Sequence, residues 1–363
     1  MTQWNLNKIE ESFVAAAIDP TRWSDALHCI STETGGCGAI LLPVTANPIP
    51  NVPVTEELAR AAEIYFRDGW HLRDVRYNVS IPKFVRTGLI DDFDCVPSEE
   101  IERHPYYQEF LAPAGLRWFA GVSMQAGDDI WCVSINRKID QDPFSPDEKR
   151  KLAQISRAVS TAAVFAQALG FAAANATLEA FDVSGTAVVL LDRQAEVIRT
   201  NRAADNLLRD GSARVIGRRL VAQDPSATAA LGRALHSLLW SSAGSSLMPA
   251  VPLPRESKAP ILAYPLKLPT LSANPLGTAQ AVVVLVDPSA KRRTPEVNLQ
   301  RAFQLTAAEA RLASHLAAGD PLDAVCDQIG ISKETGRNQL KSVFAKTGIN
   351  RQVELVLLLS RML

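Results

Sequence analysis

The final sixty or so residues constrain this chain most: two short helical patterns joined by a tight turn, the second of them basic. The segment opens at Leu305-Thr-Ala-Ala-Glu, passes through Pro321-Leu-Asp-Ala-Val-Cys-Asp-Gln-Ile-Gly-Ile-Ser, and continues from Lys333 to Gly348. Placed on a helix, Lys333 to Lys346 sets Gly336, Leu340, Val343 and Phe344 on one side, toward the preceding helices. Glu334, Arg337, Asn338, Lys341 and Ala345 fall on the other. Between positions 333 and 351, five basic residues (Lys333, Arg337, Lys341, Lys346, Arg351) stand against one acid, Glu334. The whole chain has a formal net charge of −1, so any affinity for a polyanion must be local to this face.

The arrangement is that of a helix–turn–helix, which lays one helix in the major groove of DNA. Arg can fork onto guanine, Asn onto adenine, and Lys suits phosphate or guanine. The expected DNA-contacting residues are therefore Lys333, Thr335, Arg337, Asn338, Lys341, Lys346 and Arg351. Ser332 is placed as the N-cap, with Thr335 in the first turn, where free N–H groups and a hydroxyl can grip a phosphate. Gly348 ends the helix. Gly336 costs about 1 kcal/mol relative to Ala in a helix interior, a cost tolerated if it lets the preceding helix approach closely.

Taken together these residues resemble the LuxR-type DNA-binding domain. The resemblance runs from Leu305-Thr-x-x-Glu309 through Gly319, Ile329-Gly330-Ile331-Ser332, Thr335, Arg337, Leu340, Val343-Phe344 and Lys346-Thr347-Gly348 to Arg351-Gln-x-Glu-Leu355. It implies a four-helix domain whose last helix pairs two copies, which makes Val353, Val356 and Leu357 candidate dimerisation residues. Gly336, Gln339 and Ala324 depart from the family's pattern, so an operator cannot be carried over from relatives. Sigma-factor region four shares part of the pattern, but the Lys346-Thr-Gly and Arg351-Gln-Val-Glu-Leu ending favours the LuxR type.

Upstream, 363 residues with 47% apolar and 21% charged content call for two or three ordinary globular domains. Five scattered cysteines without a C-x-x-C pair speak for a reducing cytosol and against a disulfide framework or structural zinc. No signal peptide is read at the start, and the uncharged stretch Ala158–Asn175 is too weakly apolar for a membrane span. The expected location is cytoplasmic, with no membrane.

Residues 1–144 read as two helices, a buried strand over 37–44, a helix over 55–69 and a hairpin around Ala126-Gly-Asp-Asp. That is a small sensory domain on one antiparallel sheet. Tyr65-Phe-Arg-Asp-Gly-Trp-His-Leu-Arg-Asp74 and His104-Pro-Tyr-Tyr through Trp118 resemble the GAF-like segments that accompany some LuxR-type regulators, and loosely the autoinducer-binding domains. Tyr65, Trp70, Asp74 and Trp118 are the pocket candidates this suggests, beside the alternative that these aromatics are core. Asp91, Asp92 and Asp94 read as a solvated acidic loop.

Ser145, Pro146 and Glu148 start a helix with a capping box. Its heptad stripe, Leu152, Ile155, Val159, Ala162, Ala166, Leu169 and Ala173, suits either an interchain coiled coil, with Leu152, Ile155 and Val159 as dimerisation residues, or burial in its own domain. Residues 178–290 give a hairpin (Thr186–Asp192, Glu196–Thr200), a helix capped by Asn201, another after Asp224-Pro225, and strands near 259–267 and 279–287. This succession resembles a PAS domain.

The fold class expected is thus a multidomain α+β chain. Two antiparallel-sheet sensory domains, GAF-like (1–144) and PAS-like (178–290), are joined by a helix (145–177); a linker (291–302) leads to an all-α four-helix helix–turn–helix domain (303–363). The expected function is a DNA-binding regulator modulated by a signal, or else a ligand-independent one whose N-terminal domains serve dimerisation or protein contacts. Expected partners are double-stranded DNA, a second copy of the chain, an unidentified small molecule and RNA polymerase. No catalytic constellation, metal spacing or cofactor motif is found, His236 as a haem ligand included, and no enzyme is expected.

Overall fold

The computed structural model describes residues 4–45, 52–77, 81–209, 211–240, 248–256, 258–290 and 293–360. The chain divides into two compact units, Met1–Val286 and Asp287–Leu363.

In the first unit, α1 (Leu6–Ile18) and α2 (Trp23–Glu33) precede β1 (Gly38–Pro43) and α3 (Glu56–Arg67). Short turns follow at Trp70–Leu72 and Val75–Tyr77. Next come α4 (Ile81–Thr87), β2 (Leu89–Asp91), α5 (Asp92–Cys95), α6 (Ser98–Ile101) and a π-helical turn at Tyr106–Leu111. The hairpin β3 (Leu116–Ala126) and β4 (Asp129–Lys138) turns through Gly127 at φ 60°, where the left-handed backbone favours glycine. The four strands form an antiparallel sheet in the order β1-β4-β3-β2.

Period-two alternation gives that sheet two different faces. Ala39, Leu41, Val122, Met124, Val133 and Ile135 turn toward α1 and α2. Ile40, Leu42, Phe119 and Cys132 turn the other way, toward the segments after α3.

The helix that starts at Pro146 is longer than its stripe suggested: α7 runs to Val183, 38 residues, under the expected Ser145–Glu148 capping box. By length and composition it could cross a membrane, but from Leu152 to Ala166 its buried face packs into the core with β3 and α1. Leu152, Ile155 and Val159 are fully buried in the chain's own core, and Ser156 Oγ donates to the Ser123 carbonyl at 2.6 Å. The interchain reading of these three residues is therefore corrected. A heptad stripe and a sheet-facing stripe have the same spacing, and here the sheet takes it.

A second antiparallel sheet follows. Its strands are β5 (Ala187–Leu191), β6 (Val197–Thr200), β9 (Val251–Arg255), β10 (Lys258–Leu266) and β11 (Ala281–Val286), in the order β6-β5-β11-β10-β9. Between them lie α8 (Arg202–Leu208), the small β7 (Ala213–Ile216) and β8 (Arg219–Ala222) hairpin, α9 (Pro225–Trp240) and α10 (Pro269–Ser272). Asn201 caps α8 as expected, accepting from Ala204 N at 2.9 Å and also from Val188 N at 3.0 Å. One face of the sheet takes Leu231, Leu235 and Leu238 of α9; the other takes Ala174 and Leu178 of α7.

α7 thus serves both sheets, and the two do not form separable bodies. Gly170 packs so closely on Gly277 that a Cβ would lie 2.8 Å from its Cα. Asn274 Nδ2 donates to the Ala166 carbonyl at 2.7 Å, and the Arg193 guanidinium lies 4.5 Å from the Trp131 ring centre.

The described residues of the second unit form helices without strands: α11 (Glu296–Phe303), α12 (Ala307–Ala317), α13 (Leu322–Ile329), α14 (Lys333–Thr347) and α15 (Gln352–Ser360). The expected linker over 291–302 is corrected from residue 296 on, while Lys291 and Arg292 lie outside the described residues. Leu299 of α11 is fully buried with Leu312, Leu316, Val343 and Leu355.

Candidate DNA-binding face and buried pocket

α13 and α14 meet at Gly330, whose φ of 72° closes α13 by donating to the Cys326 carbonyl. Ser332 then caps α14, accepting from Thr335 N at 3.1 Å, while its hydroxyl shares a 2.8 Å bond with the Thr335 hydroxyl. Gly348, at φ 72°, ends the helix. Gly336, Leu340 and Val343 are buried. A Cβ on Gly336 would lie 2.2 Å from Cys326 Sγ, so its lost side chain is what lets α13 and α14 touch.

Arg337, Asn338 and Lys341 are exposed along the opposite side of α14, and Arg351 is exposed just before α15. Two of the expected DNA contacts are otherwise engaged. Lys333 Nζ lies 2.8 Å from Asp323 Oδ2. Lys346 Nζ lies 2.6 Å from Glu309 Oε2, and Ser342 Oγ donates to Glu309 Oε1 at 2.6 Å.

Glu309 also closes a capping box with Thr306 at the start of α12. Burial opposes its charge, but Lys346, Ser342 and Thr306 outweigh that and hold the carboxyl at about 2. Lys346 is thus a tie between α12 and α14 inside this unit. On α15, Leu355 and Leu359 are buried while Val353 and Leu357 are exposed and Val356 is half-buried.

In the first unit, the far face of the four-stranded sheet lines a partly open cavity of about 140 Å³. Apolar walls come from Ile40, Leu42, Leu58, Phe84 and Phe110. Of the four pocket residues expected, the structure brings Tyr65 and Asp74 together at this cavity. Trp70 stacks on Phe110 behind its wall, with centroids 5.5 Å apart. Trp118 lies outside, stacked on Phe93 at 5.6 Å and donating to the Gln141 carbonyl.

Sequence reasoning missed the polar hub of this cavity. Asp74 Oδ2 accepts from the Tyr65 hydroxyl at 2.8 Å and the Tyr106 hydroxyl at 2.9 Å, and Oδ1 accepts from Arg76 N at 2.9 Å. The Arg76 guanidinium donates to Asp92 Oδ1 (3.1 Å), Asn136 Oδ1 (3.3 Å) and the Arg117 carbonyl (3.0 Å). Asp92 accepts further from the Tyr107 hydroxyl and from Phe119 N, both at 2.7 Å. The reading of Asp91, Asp92 and Asp94 as a solvated loop is corrected for the first two: Asp92 is 1% exposed and Asp91 is buried, capping α5 and paired with Lys149, while Asp94 is exposed on α5.

Burial raises both Asp74 and Asp92, with Arg76 pulling each back down. Burial likewise disfavours the guanidinium, yet Asp92, with Tyr106, Tyr107 and Asp74, more than offsets it and Arg76 sits above its ordinary value. Burial and then the Asp74 charge push the Tyr65 and Tyr106 hydroxyls well above theirs, keeping them as donors. One available signal was the pair Tyr106-Tyr107, which the π-helical turn presents inward together with Phe110 and Leu111.

No family model and no curated protein matches this sequence. Among solved structures, the chain is similar to phage VqmA in complex with DPO, at 16% identity over 52% of this chain and 88% of that one, with a TM-score of 0.21. It is similar to the Vibrio cholerae VqmA dimer in the absence of target DNA, a structure discussed as a LuxR-type receptor, at 15% identity over 49% and 85%, TM-score 0.21. The E. coli DhaR(N)–DhaL complex gives 11% identity over 77% and 86%, also at 0.21. A TM-score of 0.21 identifies no common fold, which leaves the chain's own residues to carry its functional reading.

Proposed function

We propose that this chain is a DNA-binding transcriptional regulator of the LuxR type, dimeric on a twofold-symmetric site, with its operator binding modulated by a small molecule held in the Asp74–Arg76 cavity. The observation that carries the first part is α14: a capped helix, buried along Gly336, Leu340 and Val343, that holds Arg337, Asn338 and Lys341 outward. A fork, an amide and an ammonium along one edge are the groups that read and grip a major groove. The reading includes no catalytic step.

The sensing part is supported by apolar walls around a few convergent polar groups, the usual make-up of a ligand pocket. The cavity and α7 lie on opposite faces of one sheet, so a ligand that alters the packing of β3 is felt by α7. A second reading is favoured by one observation. Asp74, Arg76 and Asp92 already satisfy one another's hydrogen bonds, as a purely structural hub would, and that suits a ligand-independent regulator.

The test is fluorescence anisotropy of the full chain on fragments selected from genomic DNA. Arg337→Ala is expected to weaken specific binding by about 1–3 kcal/mol, and Lys341→Ala to lower the salt slope by about 1. Unchanged affinity for both variants across a salt series overturns the groove assignment. Thermal shifts against a broad small-molecule panel separate the two readings of the cavity, with silence favouring the second.

A further inference from the structure

The side of α7 turned away from the core carries an unusual apolar stripe. Phe165 is 58% exposed, Phe171 54%, Val164 52% and Leu169 46%, with Ala168 and Ala172 exposed among them. Large apolar groups contiguous on one face mark a contact surface. About Ala168 the stripe is matched in kind at Phe165 and Phe171 and in position elsewhere, with Asn175 half-buried and accepting from Arg199. With Ala168 as centre, Phe165 and Phe171 lie three residues away on each side, Val164 and Ala172 four, and Thr161 and Asn175 seven. Arg157 and Glu179 lie eleven away, opposite in charge and both exposed, and neither has an ion pair among the described residues. At 3.6 residues per turn, all of these project within roughly 60° of Ala168.

We propose that α7 pairs antiparallel with α7 of a second copy, about a twofold axis through Ala168. In such a closed contact, residue i meets j and j meets i. Phe165 then packs on Phe171 of the second copy, and Arg157 meets its Glu179, at both ends of a seam about 33 Å long. The small Ala168 lets the two backbones approach at the crossing. A parallel pairing would set Arg157 against Arg157 and Glu179 against Glu179, so charge selects the antiparallel one. A lipid surface would give no reason for opposite charges at matched distances from one centre.

The inference rests on the dimeric part of the proposed function, and its test measures association without DNA. Sedimentation equilibrium of the full chain is compared with Arg157→Glu, Glu179→Arg, the double exchange and Phe165→Asp. Each single reversal acts twice per dimer and is expected to weaken association about tenfold, with the double exchange restoring it. Phe165→Asp is expected to weaken it at least about a hundredfold with an unchanged circular-dichroism spectrum. Should that variant misfold, the two solvent-facing charge variants and their exchange carry the test. The proposal is overturned if the chain is monomeric throughout, if the double exchange is no better than its parents, or if Phe165-dependent sedimentation with phosphatidylcholine vesicles replaces self-association. DNA anisotropy on the same variants reports separately on α14, so loss of the dimer and loss of DNA contact are told apart.

Discussion

Gly336 holds α13 and α14 together by having nothing to add. Ala is the better helix former by about 1 kcal/mol, yet its methyl has no room beside Cys326 Sγ. Gly336→Ala is expected to destabilise the second unit by about 1–2 kcal/mol in denaturant melts, and Cys326→Ala in the same chain to recover most of that loss. Glu309 gives a pH prediction. Its carboxyl is held at about 2, below the ordinary 4.5, so its contribution is complete above 4.5 and fades as pH falls toward 2. We expect about 1–2 kcal/mol from it at neutral pH, lost over that window in the native chain and absent throughout in Glu309→Gln, as read from urea midpoints against pH. At this scale the caps were legible, because Ser332, Gly348, Ser145 and Asn201 act on neighbours a few residues away. Lys346 was not: its partner Glu309 is thirty-seven positions back, and a cation on a basic helix looks the same whether it faces a phosphate or a carboxylate.

Among the elements, the turns after α3 matter most to the pocket. They carry Asp74 and Arg76 to the sheet, where α5 brings Asp92 and β4 brings Asn136. Two buried carboxylates thus depend on one guanidinium. Arg76→Met is expected to cost about 3–5 kcal/mol, since removing one partner leaves buried charge without compensation. Part of that loss should return as pH falls, because Asp74 and Asp92 then become neutral; a variant whose melting temperature is indifferent to pH would contradict the hub. Local sequence could not show this, as Asp91-Asp92-Phe-Asp94 has the composition of a surface loop and its arginine lies sixteen residues away. The α7 stripe was visible but ambiguous, since its apolar spacing fits a partner helix or a sheet equally. The β7–β8 hairpin escaped notice because Arg214, Arg218 and Arg219 break any alternation there.

For the molecule as a whole, the division into Met1–Val286 and Asp287–Leu363 changes where the chain can be cut. α11 supplies Leu299 to the core of the second unit, and Ser314 Oγ donates to the Thr294 carbonyl at 2.7 Å. A fragment beginning at 287 is expected to unfold cooperatively and to retain DNA contact. One beginning at 303 should lose about 2–5 kcal/mol, comparable to emptying the Leu299 site, as read from thermal melts of the two fragments. The expected boundary at 177 also has a consequence for protein engineering. Because α7 continues unbroken to Val183 and is clasped by Asn274 and Gly277, a graft spliced there would sever one rod and part Ala174 from Leu178 beneath the second sheet. Exchange of the first unit between relatives therefore has to move everything up to Val286 as a single cassette.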